Sequence, residues 1–252
     1  MTKHLQARPM IIVNADDWGR STAETDAALK CHRGRRITSV TSMTFMPDSA
    51  RAAELALAHD VMAGLHLNFS QPFGDRATPT RLAARQERVC GFMNAHKYAF
   101  LVYNPALHSD ILYSYQAQAE EFCRLYGKPP SHVDGHHHKH LCSNVLLGNV
   151  IPAGQKLRRS FYFWPGEKSW VNRAYRGLTD RLLARRYRLA EYFFALSPCL
   201  QGDRLSKVLD LAKTHSVEVM THPVNPNELD YLMSETFVSQ LARLECGTYS
   251  AL

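Results

Sequence analysis

Five of the chain's 13 histidines fall within nine residues, His132-Val133-Asp134-Gly135-His136-His137-His138-Lys139-His140. Imidazole is the commonest side-chain metal ligand, and a neighbouring carboxylate fixes which ring nitrogen carries the proton. Asp134, His136, His138 and His140 share parity, so an extended chain points all four the same way. Three other segments place Asp, His or both at the close of an apolar run. Ile11-Ile12-Val13-Asn14-Ala15-Asp16-Asp17-Trp18-Gly19 ends on adjacent carboxylates, which repel each other unless a cation or proton intervenes. Ala63-Gly64-Leu65-His66-Leu67-Asn68 alternates, putting His66 and Asn68 on one face. Val217-Glu218-Val219-Met220-Thr221-His222-Pro223 ends on a histidine, and the proline stops the ladder.

Taken singly, Asp16-Asp17 reads as a turn, His66 and His222 as satisfied structural histidines, and the histidine run as an exposed loop. Their convergence at strand ends argues for chemistry instead. Two histidines and one carboxylate make a hydrolytic metal site with open positions for water and substrate. A second carboxylate takes the water's proton, and a histidine opposite protonates the leaving group. Asp16, Asp17, His66, His136 and His222 supply one residue for each task. The same ligand set suits a non-haem iron oxygenase, but the extra base and acid favour hydrolysis.

The elements that must position these residues alternate between short apolar runs and helical stretches, as in an α/β protein with parallel strands. Strands are expected at 10–15, 39–45, 61–68, 131–136, 160–164, 192–196 and 217–221. Helices are expected from Ser21, where Ser21 and Glu24 form a capping box, over 47–59 and over 109–126. Pro72, Gly74, Pro79 and Gly91 make about 70–105 an elaborated loop. The expected architecture is a single domain over 1–252, a distorted (β/α) barrel of about seven parallel strands. A doubly wound open sheet is the alternative, and either fold gathers chemistry at the strands' C-terminal ends.

With 252 residues, 45% hydrophobic and 21% charged, the chain has ample core for one large α/β domain, which excludes disorder, collagen and coiled coil. Its polar start, Met1 to Pro9, and the lack of a long apolar run predict a soluble cytoplasmic protein. The six scattered cysteines form no C-x-x-C pair and read as buried or half-buried free thiols. The net charge of +7 lacks the aromatic interleaving of a single-strand-binding platform, so no nucleic-acid partner is expected. Much of the surplus lies in 33–36 and in the basic helical stretch 173–188. There Tyr175, Leu178 and Leu182 make one stripe among arginines. Such a helix can lie on an anionic membrane, but an ordinary surface helix packed on the core is the expectation.

Together the four segments, in this order and over nearly the whole chain, resemble the YdjC-like carbohydrate deacetylases. That family includes bacterial chitooligosaccharide deacetylases and a hopanoid-cluster-associated branch. The resemblance implies a distorted (β/α) barrel and metal-dependent removal of an N-acetyl group from an acetylated amino sugar or oligosaccharide. It implies Asp17, His66 and His136 as ligands of one divalent ion, zinc or magnesium, Asp16 as general base and His222 as general acid. Trp18, Asn68, Asp134 and His138 become substrate or ligand-supporting contacts. Trp18 replaces the family's usual Phe as an apolar pocket wall, and Arg20 beside the mouth favours an anionic substrate. Dimers are known among such proteins, so a homodimer is the default. The competing readings are a metal-dependent amidase or deacylase acting on a lipid-linked or envelope saccharide, and a non-catalytic, metal-dependent saccharide-binding protein.

Overall fold

The computed structural model describes residues 8–252. Most of the polar leader that suggested a cytoplasmic protein therefore lies outside the described residues. In chain order the elements are β1 (Met10–Trp18), α1 (Thr22–Arg33), β2 (Ser39–Ser42), α2 (Ser49–Ala58), β3 (Ala63–Leu67), α3 (Thr80–Asn94), α4 (His108–Tyr126) and β4 (Val133–Gly135). They continue with α5 (Ser143–Leu147), α6 (Trp170–Ala184), β5 (Tyr192–Ala195), α7 (Leu196–Cys199), α8 (Arg204–Ala212), β6 (Ser216–Thr221), α9 (Pro226–Met233) and α10 (Glu235–Leu241). Among the described residues the strand order is β4-β3-β2-β1-β6-β5.

The chain divides into two compact units. One contains the chain up to Ala15, Ala27–Ser39 and Lys156–Leu252; the other contains Asp16–Asp26 and Val40–Gln155. In the first, β6 pairs in parallel with β5 on one side and with residues 10–15 of β1 on the other. Met10, Ile12 and Tyr249 form a buried cluster there, with Leu252 packed against it. Arg158 and Glu218 are fully buried, joined by Arg158 Nη2 to Glu218 Oε1 at 2.7 Å, and the Tyr249 hydroxyl also donates to Glu218. In the second unit, β3 lies between β2 and β4, again parallel. β1 is buried along its whole length, as expected of an apolar run in a parallel sheet covered on both faces.

Six strands form among the described residues, where seven were expected. Residues 160–164 run beside β5, and Phe161 stacks on Phe193 at 4.6 Å. Tyr162 N–H donates to the Phe193 carbonyl, but no strand is formed there. Side-chain stacking and a single backbone bond hold this stretch beside β5, without a continuous ladder. The expected loop over 70–105 contains a fifteen-residue helix, α3. Its buried positions, Leu82, Gln86, Val89, Cys90 and Met93, follow helical spacing, but polar Gln86 hides the pattern. Gln86 is buried because its amide donates to the carbonyls of Asn68 and Gln71 and accepts from Ser114. The capping box does form: the Ser21 hydroxyl donates to Glu24 at the start of α1. All six cysteines are free, but Cys123 and Cys246 are exposed rather than buried.

Candidate metal centre

Strand register builds the centre of the second unit. β3 and β4 place His66 directly beside Asp134 in the parallel ladder, so their side chains leave the same face as neighbours. His66 Nδ1 lies 2.7 Å from Asp134 Oδ1, which orients the ring and leaves Nε2 on the far side. That nitrogen is 3.3 Å from Asp17 Oδ1. The approach of β3 to β4 depends on Gly64, where a Cβ would come within 2.5 Å of the His132 ring.

In regular β structure, consecutive residues point to opposite faces, which would separate Asp16 from Asp17. Asp17 instead has a left-handed backbone, φ 64°. Both carboxylates consequently reach the same imidazole: Asp16 Oδ2 lies 4.0 Å from His66 Nδ1 while Asp17 meets Nε2. Asp16 Oδ1 also accepts from the Thr41 hydroxyl on β2 at 3.2 Å. Aspartate is among the few L-residues that visit this conformation readily.

β4 stops at Gly135, and the chain turns through a 3₁₀ segment, His136–Leu141, with His137 and His138 left-handed at φ 51° and 55°. The common parity expected for residues 134 to 140 therefore ends at the strand. His136 enters the cluster, its Nδ1 2.9 Å from Asp17 Oδ1. His138 turns toward His140, with ring centroids 6.3 Å apart, and is half-buried. The exposed His137 lies over the His136 ring at 3.9 Å and pairs with the Ser70 hydroxyl at 3.0 Å. Parity had set His137 aside; its place in the histidine run was the only sequence signal for it.

The electrostatics follow from the packing. Burial alone would raise the Asp17 carboxyl, but the His136 and His66 imidazoles hold it well below the usual carboxylate range. Burial opposes charge on His66, yet the carboxylates of Asp134, Asp16 and Asp17 override it and push the imidazole up to about 10. Although His137 is exposed overall, its ring is packed against His136, and the lost solvation on that side together with the neighbouring His136 pushes it down to about 4.

A divalent cation fits these residues. Asp17, His66 and His136 are all buried, and each offers a ligand atom within 4.8 Å of the others. His136 meets Asp17 through Nδ1, while its Nε2 is buried without a hydrogen-bond partner, a costly state for a ring nitrogen that an ion would relieve. Asp16, His66 and Asp134 form an overlapping second group. His66 has only two nitrogens, and Asp134 already occupies one, so the Asp17 group is the better holder.

A profile for the YdjC-like protein family matches residues 10–243. The chain belongs to the YdjC-like family. A family relative from Proteus mirabilis (strain HI4320), named chitooligosaccharide deacetylase, is 29% identical over 260 residues, covering 96% of this chain and 92% of that protein. A protein of the same name from Yersinia pestis (strain Pestoides F) is 29% identical over 139 residues, 54% of this chain and 52% of its own. A solved structure from Enterococcus faecalis V583, described as a putative cellobiose-phosphate cleavage protein, shares the fold. Its TM-score is 0.66 at 16% identity, over 96% of this chain and 97% of that one.

The remaining residues of the YdjC-like motifs lie as follows. Trp18 is fully buried and donates its indole N–H to the Ala52 carbonyl of α2 at 3.0 Å. It is a core residue and not the pocket wall expected of it. Asn68 is also buried, with Oδ1 accepting from the backbone N–H groups of Ser70 and Gln71 and Nδ2 donating to the Gln71 carbonyl. These bonds fold the turn after β3. Arg20 places Nη1 3.3 Å from Asp17 Oδ2 and 3.6 Å from Glu24 Oε1, so its charge serves a candidate ligand. His222 follows β6 in the other unit, where its backbone N–H donates to Glu228 Oε2 at 2.7 Å.

Proposed function

We propose that this chain is a metal-dependent carbohydrate deacetylase that hydrolyses the N-acetyl group of an acetylated amino sugar or oligosaccharide. The observation that carries this reading is the buried Asp17–His66–His136 group with the Asp16 carboxylate beside it. The family match and the name of the Proteus mirabilis relative support the reaction class. Because the match runs through both units, we treat residues 1–252 as one functional domain, with its sheet a member of the family's distorted-barrel class.

Asp17, His66 and His136 would hold the ion, and two imidazoles with one carboxylate suit zinc or another transition ion better than magnesium. A bound divalent ion would acidify a water and polarise the acetamide carbonyl. Asp134 keeps His66 Nδ1 engaged so that Nε2 faces Asp17. Arg20 restrains the second Asp17 oxygen. Asp16 is the base, accepting the water's proton at its carboxylate, which the Thr41 hydroxyl steadies. His222 is the proton donor to the departing sugar amine, an assignment that rests on the Thr221-His222-Pro223 motif. Trp18 and Asn68 act by supporting the backbone around the ligands, and His138 is assigned to substrate contact.

Acetate release from a panel of N-acetylated sugars, with zinc or magnesium supplied, tests the reading. Asp16→Asn should lose about a hundredfold to ten-thousandfold of activity while metal content is unchanged. Full activity in Asp16→Asn sinks the base assignment. No acetate from any sugar by metal-loaded wild type leaves saccharide binding without turnover as the better account.

A further inference from the structure

The helix α6 is built inside out. At 100° per residue, its exposed apolar side chains Trp170, Val171, Tyr175, Leu178 and Leu182 fall on one arc of about 140°. They are 77%, 57%, 44%, 57% and 51% exposed. The sequence expectation that this stripe packs on the core is therefore overturned. The opposite face is largely polar and holds the helix down. Asp180 is buried there, accepting from the Arg159 guanidinium at 2.7 Å, from Ser160 N–H at 3.0 Å and from the Ser160 hydroxyl at 2.9 Å. Arg176 lies over the Phe163 ring at 5.1 Å.

We propose that α6 docks this protein on an anionic phospholipid surface. Charge selects that occupant. Lys168, Arg181, Arg185 and Arg188 are exposed on or beside the helix. The acidic residues of the same stretch are both spoken for, Glu167 by Arg204 and Asp180 by Arg159. A second copy placed face to face across a two-fold axis would set arginine against arginine, whereas an anionic headgroup layer neutralises them. Arg181 and Arg185 fall within the same arc as the apolar side chains, between Trp170 and Leu178. The face therefore mixes apolar side chains with arginines whose long stems let their charges reach headgroups while Trp and Leu enter the boundary. Among the described residues no helix is long and apolar enough to cross a membrane, so the contact is peripheral. The inference stands independently of the deacetylase reading; if both hold, substrates carried on lipid are brought to the enzyme's own surface.

The test is co-sedimentation of the full chain with vesicles of phosphatidylglycerol and phosphatidylcholine, and with phosphatidylcholine alone. Binding should require phosphatidylglycerol and weaken as salt is raised. Arg181→Gln with Arg185→Gln should lower the partition coefficient by about 25-fold, about fivefold per arginine. Leu178→Ser with Leu182→Ser should abolish binding, with an unchanged melting temperature because both side chains are exposed. Equal partition to the two vesicle types, or wild-type binding by both double variants, overturns the proposal. So does a dimer in light scattering that Leu178→Ser with Leu182→Ser turns into a monomer, since that assigns the face to a second copy.

Discussion

An ion entering the Asp17–His66–His136 group must displace a proton, and the structure says from where. In the metal-free site the imidazole of His66 is pushed up to about 10 by Asp134, Asp16 and Asp17 against the opposing effect of burial. Around neutral pH the ring therefore carries protons on both nitrogens, and Nε2 becomes a ligand only when it gives one up. Below that pKa, metal affinity should rise about tenfold per pH unit, or about 1.4 kcal/mol. From about pH 7 to about pH 9 the gain is about a hundredfold, and above about 10 the curve should flatten. Isothermal titration calorimetry in buffers of differing ionisation heat would count about one proton released per ion from His66 at about neutral pH. Asp134→Asn removes the carboxylate at 2.7 Å and lowers the His66 pKa, so its affinity curve should flatten at lower pH. At high pH, where the proton no longer competes, the variant should bind about 10- to 100-fold more weakly than wild type because the ring has lost its orienting charge. An affinity independent of pH between about 7 and 9, or proton uptake on binding, would falsify the argument.

The same shift has a sign for stability. His66 stabilises the metal-free fold fully below its unfolded value of 6.5, and this is lost as pH rises through about 10; thermal melts of chelator-treated protein should show the fall, and zinc should shrink it. Gly64→Ala, whose Cβ would meet the His132 ring at 2.5 Å, should cost about 1–3 kcal/mol in urea unfolding. A wild-type midpoint would mean that β3 and β4 yield more easily than their contacts imply. Glu218→Gln leaves Arg158 buried with its charge unbalanced, and should cost about 3–5 kcal/mol by the same assay. His138→Ala should keep wild-type metal stoichiometry by atomic emission, because its ring turns toward His140; loss of metal would place it among the ligands.

Much of the candidate site was legible because strands announce their ends. Asp16, Asp17, His66 and Asp134 each stop or border an apolar run, and the register of β3 with β4 then makes neighbours of His66 and Asp134. What could not be read was the departure from that regularity. Parity carries information only while the chain stays extended, and the left-handed residues 137 and 138 cancel it within two positions of the strand end. From sequence Trp18 reads as a wall because it stands where the resembled family carries Phe, but the indole reaches the Ala52 carbonyl and is drawn into the core. Helix α3 was hidden by a buried glutamine whose partners lie in the turn after β3, contacts between distant parts of the chain that no local pattern contains. The stripe on α6 was visible as a pattern, but its direction was not. That depends on Asp180 finding Arg159 and Ser160, which turns the polar side inward.

The left-handed backbone at Asp17 constrains which histories are open to this site. An L-residue with a bulky or β-branched side chain would be strained at φ 64°, whereas asparagine and glycine would not. Replacement by glutamate or histidine would keep a ligand-type side chain at the position, but carries a conformational penalty that asparagine escapes. If Asp17 holds the proposed ion, a lineage released from selection for metal has an easy exit, aspartate to asparagine, with the turn preserved and the carboxylate charge gone. Descendants that kept the fold and abandoned the ion should carry asparagine or glycine here far more often than any other replacement.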